Sequence, residues 1–271
     1  MFELLHYQFF QNALMVALLA SILSGVIGTY IVVKRISLIS GSIAHAAFGG
    51  LGISYFLNYN PFFGGVIFSL GIAVMIAWLR KKAQNRLDVL LTFLWATGMA
   101  IGLVFIFLTP GYSTDLFTYL FGNILLVSRQ EIMFILFLDI AILTIVYFMF
   151  NVFLAVTFDE EYSETRNTPV TLVYMVLFSL IALTIIATIK VVGIVLMMAI
   201  LTIPAATAQL FHSTVKRIML ASSFIALFSI ITGLFLSYYL NFATGPIIVL
   251  IISLIYLCGL FLTRLGLPSS R

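Results

Sequence analysis

The stretch Asn12 to Val33, NALMVALLASILSGVIGTYIVV, runs for 22 residues without a charge and is closed by Lys34 and Arg35. As an α-helix rising about 1.5 Å per residue it crosses the ~30 Å hydrocarbon core of a bilayer, and the two cations at its end are what a cytoplasmic interface favours. Eight stretches of the same kind follow, at 40–57, 61–80, 88–109, 131–154, 170–189, 191–210, 217–239 and 245–263. They predict an all-α fold, a polytopic membrane helical bundle of eight or nine transmembrane segments, the lower number applying if one late segment is re-entrant. They also take up most of the chain, so residues 1–271 read as a single transmembrane domain with no room for a soluble one.

Composition says the same. Of the 271 residues 63% are hydrophobic and 8% charged, where a soluble domain carries about 25% charged residues. No Gly-rich phosphate loop ending in Lys and Ser or Thr is present, so the energy for any work must come from a partner or an ion gradient. The net charge of +4 points to topology rather than nucleic acid, because the basic residues sit in short connectors. With the N-terminus outside, Lys34, Arg35, Arg80, Lys81, Lys82, Arg86, Arg166, Lys216, Arg217, Arg264 and Arg271 are cytoplasmic, and only Arg129 and Lys190 are not. That bias orients the bundle. The single cysteine, Cys258, lies in an apolar segment, which leaves neither a disulfide nor a Cys-based metal site within one chain. Met1 to Gln11 lacks the pattern of a removable signal peptide.

Two connectors stand out. Thr109-Pro110-Gly111-Tyr112 breaks a helix on the outside, and Thr114 to Val127 then resumes an apolar pattern too short to span, as an extracytoplasmic or half-inserted helix does. On the inside, Phe158 to Pro169 is the longest polar run. Asp159 is suited to cap a short helix over about 158–168, acids occupy its first turn, and Asn167 suits a left-handed residue before Pro169. Gly50 to Asn58 also matches Gly233 to Asn241 at six of nine positions, as an internal repeat or as recurrent interface residues would.

Ionisable groups at membrane depth are costly and are candidate sites. His45 is the first. Helical spacing stacks Gly41, His45 and Gly49 on one face of the second segment, so the imidazole projects from a strip almost free of side-chain bulk. Such a strip permits close helix packing or a pathway along the backbone. Imidazole is a common ligand for zinc and other transition metals, and the competing reading is a histidine hydrogen-bonded across a helix interface. Asp139, in the fifth segment, is the other buried acid, either a cation ligand or a group satisfied by a neighbouring helix. No Ser/His/Asp set, His-Glu-x-x-His or Cys pair is present, which argues against an enzyme. Pro204, inside an apolar segment, reads as a hinge or a static bend.

Four stretches together resemble the membrane permease subunit of ABC importers for divalent metals, of the zinc, manganese and iron type. They are Arg35-Ile36-Ser37-Leu38 running into Gly41-Ser42-Ile43-Ala44-His45-Ala46; Phe158 to Pro169; Val191 to Leu196 leading to Ile203-Pro204-Ala205-Ala206-Thr207-Ala208; and Gly233 to Tyr238 leading to Gly245 to Leu250. The resemblance implies a type II ABC importer-like fold in a prokaryotic cell membrane, acting as a homodimer. It further implies two cytoplasmic ABC ATPase subunits that hold the ATP, an extracytoplasmic metal-binding protein, and a transported metal ion in place of any bound cofactor. In relatives the second segment reads Gly-Asp-x-x-x-His, and its Asp and His are implicated in binding metal. Here His45 keeps the histidine while Gly41 occupies the Asp position. The polar run resembles a Phe-Asp-Pro-Glu motif ending in Gly-x-Pro, with Phe158, Asp159, Glu161 and Pro169 in register. This implies a coupling helix that docks on the ATPase, with Glu164 among its contacts. Two alternatives are an ABC permease for metal chelates such as siderophores or cobalamin, and a gradient-driven secondary transporter. A non-transporting membrane scaffold is the third.

Overall fold

The computed structural model describes residues 6–82, 86–109, 122 and 124–265. Among them ten α-helices follow one another: α1 (Gln8–Val33), α2 (Ser37–Phe56), α3 (Pro61–Leu79), α4 (Leu87–Leu108), α5 (Arg129–Phe158), α6 (Glu160–Thr165), α7 (Val170–Val192), α8 (Ile194–Phe211), α9 (Val215–Leu240) and α10 (Thr244–Arg264), with a 3-10 turn at Ile124–Leu126. Nine are long, and each corresponds to one of the nine apolar stretches. Seven of these meet the length and apolarity of a membrane span among the described residues. The other two are α2, diluted by its Gly, Ser and His, and α8, whose longest described apolar run is Leu196–Phe211. The expected outer apolar helix falls largely on 110–121 and 123, outside the described residues; only its end, the 3-10 turn, is described.

The helix ends follow local chemistry. Asn60 caps α3 by accepting from the Phe62 N–H at 3.0 Å, with Pro61 in the first helical position where no N–H is needed. After α2 and α9 the chain turns through Asn58 (φ 57°) and Asn241 (φ 54°), left-handed positions that Asn tolerates. These two residues close the nine-residue echo, which is thus a shared way of ending a helix. The sixth and seventh segments are separated by one residue, Gly193 at φ 79°, three positions beyond Lys190.

The chain divides into two compact units. The first comprises Met1–Arg35, Leu116–Leu143 and Ala187–Arg271. In it α1 packs on α8 and α9, and α10 packs on both. Small residues allow the approach: a Cβ on Gly25 would strike Ser223, and one on Gly28 would strike the Leu201 carbonyl. Asn12 Nδ2 donates to the Val127 carbonyl at 3.1 Å, tying the 3-10 turn to α1.

The second unit comprises Ile36–Asp115 and Thr144–Ile186 and is built on α2, which packs against α3 and α4. A Cβ on Gly50 would collide with Gly64 of α3, and one on Gly52 with Gly102 of α4. Large apolar side chains such as Ile67, Phe107, Tyr147 and Phe148 face outward. That arrangement suits a lipid solvent.

Candidate functional site

Of the strip read from the sequence, His45 and Gly49 face α4. Gly41, His45 and Gly49 are all buried in α2. A Cβ on Gly98 of α4 would strike Ala46, and one on Gly49 would sit 2.9 Å from the Gly98 carbonyl oxygen. Ser42 donates its hydroxyl across the interface to the Leu91 carbonyl at 2.9 Å. The contacts advance together along the two helices, from Ser42 and Leu91 to Gly52 and Gly102, so α2 and α4 run parallel. Close packing and not bulk separates them.

His45 therefore enters a seam whose walls are backbone and small side chains. Two residues of α4 receive it. Trp95 stacks on the imidazole with ring centroids 4.2 Å apart and planes 13° from parallel, and Met99 places its Sδ 3.2 Å from Nδ1. The polar group that faces this histidine across the helices is thus a thioether. Trp95 and Met99 are both half-buried. They were not legible from the sequence: their i, i+4 spacing puts them on one face of α4, but nothing local says that this face meets His45.

At the polar run of the same unit, α5 continues through Phe158, and Asp159 breaks it. Asp159 then caps α6 by accepting from the Tyr162 N–H at 2.8 Å. Asn167 closes the turn in the left-handed conformation, φ 57°, its N–H donating to the Glu164 carbonyl at 2.9 Å, and Pro169 precedes α7. The helix proper is six residues, Glu160–Thr165, shorter than 158–168, because Phe158 belongs to α5 and Asn167 to the cap.

The acids of α6 divide by direction. Glu160 accepts two hydrogen bonds from the Arg80 guanidinium, at 2.8 and 2.7 Å, and one from the Tyr174 hydroxyl at 2.6 Å, while Arg80 lies 3.7 Å above the Tyr174 ring. Burial opposes the charge on Arg80, but the hydrogen bonds and charge of Glu160 outweigh it and hold the group above its ordinary value. Glu164 pairs with Lys81 at 2.7 Å. Glu161 is exposed and so are Phe158 and Tyr162, at 68% and 54%. Of the two acids singled out for contact with a partner, Glu164 is thus engaged inside the chain. Glu160, Arg80 and Tyr174 are the anchor that sequence reading missed. The pairs also bring Arg80, Lys81 and α6 to the same end of this unit.

These pairs differ in weight. The Arg80–Glu160 side chains are 20% and 30% exposed, those of Lys81–Glu164 63% and 48%. Arg80→Ala is expected to lower the stability of the detergent-solubilised protein by about 2 kcal/mol, between the values for exposed and buried pairs, and Lys81→Ala by under about 1 kcal/mol. Thermal unfolding of the two variants measures this, and equal effects would contradict the assignment of Arg80 as the anchor.

The remaining candidates lie elsewhere. Asp139 is 2% exposed on α5, in a buried stripe with Ile132, Ile135, Ile142 and Val146, and neither carboxylate oxygen has a hydrogen-bond partner among the described residues. Asp139 and Pro204, which sits inside α8, belong to the first unit, His45 and the polar run to the second. Among the described residues no three His, Cys, Asp or Glu side chains cluster as a metal site.

The sequence profile of the ABC 3 transport family matches residues 6–263. An uncharacterized membrane protein of Synechocystis sp. is 41% identical over 264 residues, 97% of this chain and 94% of its own length. The manganese transport system membrane protein MntC of Listeria innocua is 34% identical over 270 residues, 99% of this chain and 96% of that protein. Among solved structures, PsaBC from Streptococcus pneumoniae in complex with Fab has a TM-score of 0.85 at 31% identity, covering 94% of this chain and 92% of that one.

Proposed function

We infer the role of this chain from the fact that it belongs to the ABC 3 transport family: it is a multi-pass prokaryotic membrane protein, the permease of an ABC importer, and its cargo is a divalent transition metal ion. The observation that carries the cargo is the 34% identity, over 99% of the chain, with a permease named for manganese transport. Zinc and iron stand beside manganese as candidate cargoes. The whole chain acts as one permease domain and pairs with a second copy to enclose the pathway. An extracytoplasmic metal-binding protein delivers the ion, and cytoplasmic ATPase subunits supply the energy that the chain has no nucleotide loop to capture.

The residues divide this work. His45 lines the pathway as the ligating side chain on a strip where Gly41 and Gly49 keep the backbone close. Phe158, Asp159, Glu161 and Pro169 form the docking element, Asp159 and Pro169 by shaping it and Phe158 and Glu161 by contact. Glu164 supports it from behind through Lys81. Pro204 leaves the Ile200 carbonyl without its helical partner and marks where α8 can bend. Asp139 has no assigned part in this scheme.

Reconstitution of the permease with its ATPase and binding protein in liposomes tests the reading. Metal uptake is expected to require ATP hydrolysis, to fall to background with a Walker-defective ATPase, and to survive an ionophore. Uptake that collapses with the ionophore and ignores the ATPase would assign the chain to gradient-driven transport instead.

A further inference from the structure

We propose that Met99 is a second ligating residue beside His45, and that this nitrogen–sulfur pair makes the pathway prefer zinc over manganese. The inference rests on the reading of His45 as a pathway ligand and specifies which metal that pathway favours.

The geometry is that of two donors converging on one ion. Zinc holds an imidazole nitrogen at about 2.0–2.1 Å and a thiolate sulfur at about 2.3 Å; a neutral thioether sits at that distance or slightly beyond, so at an angle between a right angle and the tetrahedral one the two donors lie about 3.1–3.7 Å apart. Nδ1 of His45 and Sδ of Met99 are 3.2 Å apart. Neither side chain has to move far to share a metal. The imidazole must present Nδ1 as its lone-pair atom, with the proton on Nε2. Trp95, stacked at 4.2 Å and 13°, holds the ring plane, so an ion in that plane meets the thioether and not the indole.

The donor types then discriminate. Imidazole and thioether suit borderline and soft ions, whereas carboxylate and water suit manganese, magnesium and calcium. A carboxylate one helical turn before His45 would supply a hard oxygen, but Gly41 stands there with no side chain. Among the described residues no cluster of three His, Cys, Asp or Glu replaces it. Manganese would therefore meet this seam with a soft donor where it needs a hard one.

Two measurements on the full chain decide the matter. Zinc X-ray absorption on the purified permease is expected to show a sulfur scatterer near 2.3 Å that is lost in Met99→Leu. In liposomes containing the permease, its ATPase and the binding protein, zinc is expected to outcompete manganese. Met99→Leu is expected to lower that zinc-to-manganese preference by about tenfold, while Met133→Leu, an exposed methionine of α5, keeps it. A zinc environment of nitrogen and oxygen only, identical in Met99→Leu, would reduce Met99 to a hydrogen-bond acceptor for His45 and overturn the proposal, as would a preference for manganese in the unaltered protein. The absorption measurement needs no ATPase. A complex that transports no metal at all would therefore refute the importer reading and leave the ligand assignment to be decided spectroscopically.

Discussion

His45→Ala is expected to reduce metal uptake by about a hundredfold or more while leaving the protein inserted and folded. The strip around His45 is glycine and alanine, so its removal leaves backbone carbonyls, water and the lone Met99 sulfur in place of a nitrogen ligand in the seam. Loss of a group that merely orients a ligand already costs about 10–100-fold in metal affinity; loss of the ligand costs at least as much. The structural consequence is small by comparison. The side chain is 9% exposed, yet its polar contact among the described residues is one weak contact with a thioether and its ring packing one stacked indole. Stacked pairs contribute about 0.5–1.5 kcal/mol beyond their buried area. Transport in liposomes, read beside thermal unfolding in detergent, separates the two effects. Uptake within threefold of the unaltered protein would remove His45 from the pathway.

The second large effect is expected at the short helix α6 and its flanks. Phe158 and Tyr162 expose large apolar surfaces on an otherwise acidic segment, 68% and 54% open. Exposed apolar surface in such a place marks an interface. Aromatic anchors at the centre of an interface commonly cost 2 kcal/mol or more each when truncated. Phe158→Ser together with Tyr162→Ser is therefore expected to weaken ATPase binding at least about a hundredfold. Glu161→Lys is expected to act mainly on the association rate and its salt dependence, as charges at an interface rim do. Titration of the purified permease with its ATPase subunit measures both. Unchanged affinity in the double variant would place the docking surface elsewhere. Glu164→Lys is a different experiment, because that acid pairs with Lys81 and its reversal disturbs how α6 is seated before any partner arrives.

Much of this was readable along the chain because it depends on local or one-dimensional physics. Nine apolar segments became nine long helices since a helix is the one way for a single segment to satisfy its backbone in lipid. Asp159 capped α6 and Asn167 took the left-handed position because both events are decided within a few residues. The same local terms explain the misjudged length of α6: the apolar face of α5 continues through Phe158, and the cap, not the charge run, sets where the next helix starts. Glu160 and Glu164 were a different matter. Both look like solvated acids, and only the arrival of Arg80 and Lys81, about eighty positions earlier in the chain, distinguishes them from Glu161.

The sequence by itself determined that the chain lives in a membrane, roughly where its nine long helices lie, and that one histidine is spaced with glycines along its helix. Composition, spacing and charge are properties of a string. The tertiary structure alone decided what His45 faces. Fifty-four positions separate it from Met99, and they meet because Gly49, Gly52, Gly98 and Gly102 let two parallel helices approach until their backbones touch. Four of the few charges, Arg80 with Glu160 and Lys81 with Glu164, met across the fold in the same way. A missing acid at Gly41 was visible in the sequence; the sulfur in its vicinity was not, because donor sets are assembled by packing.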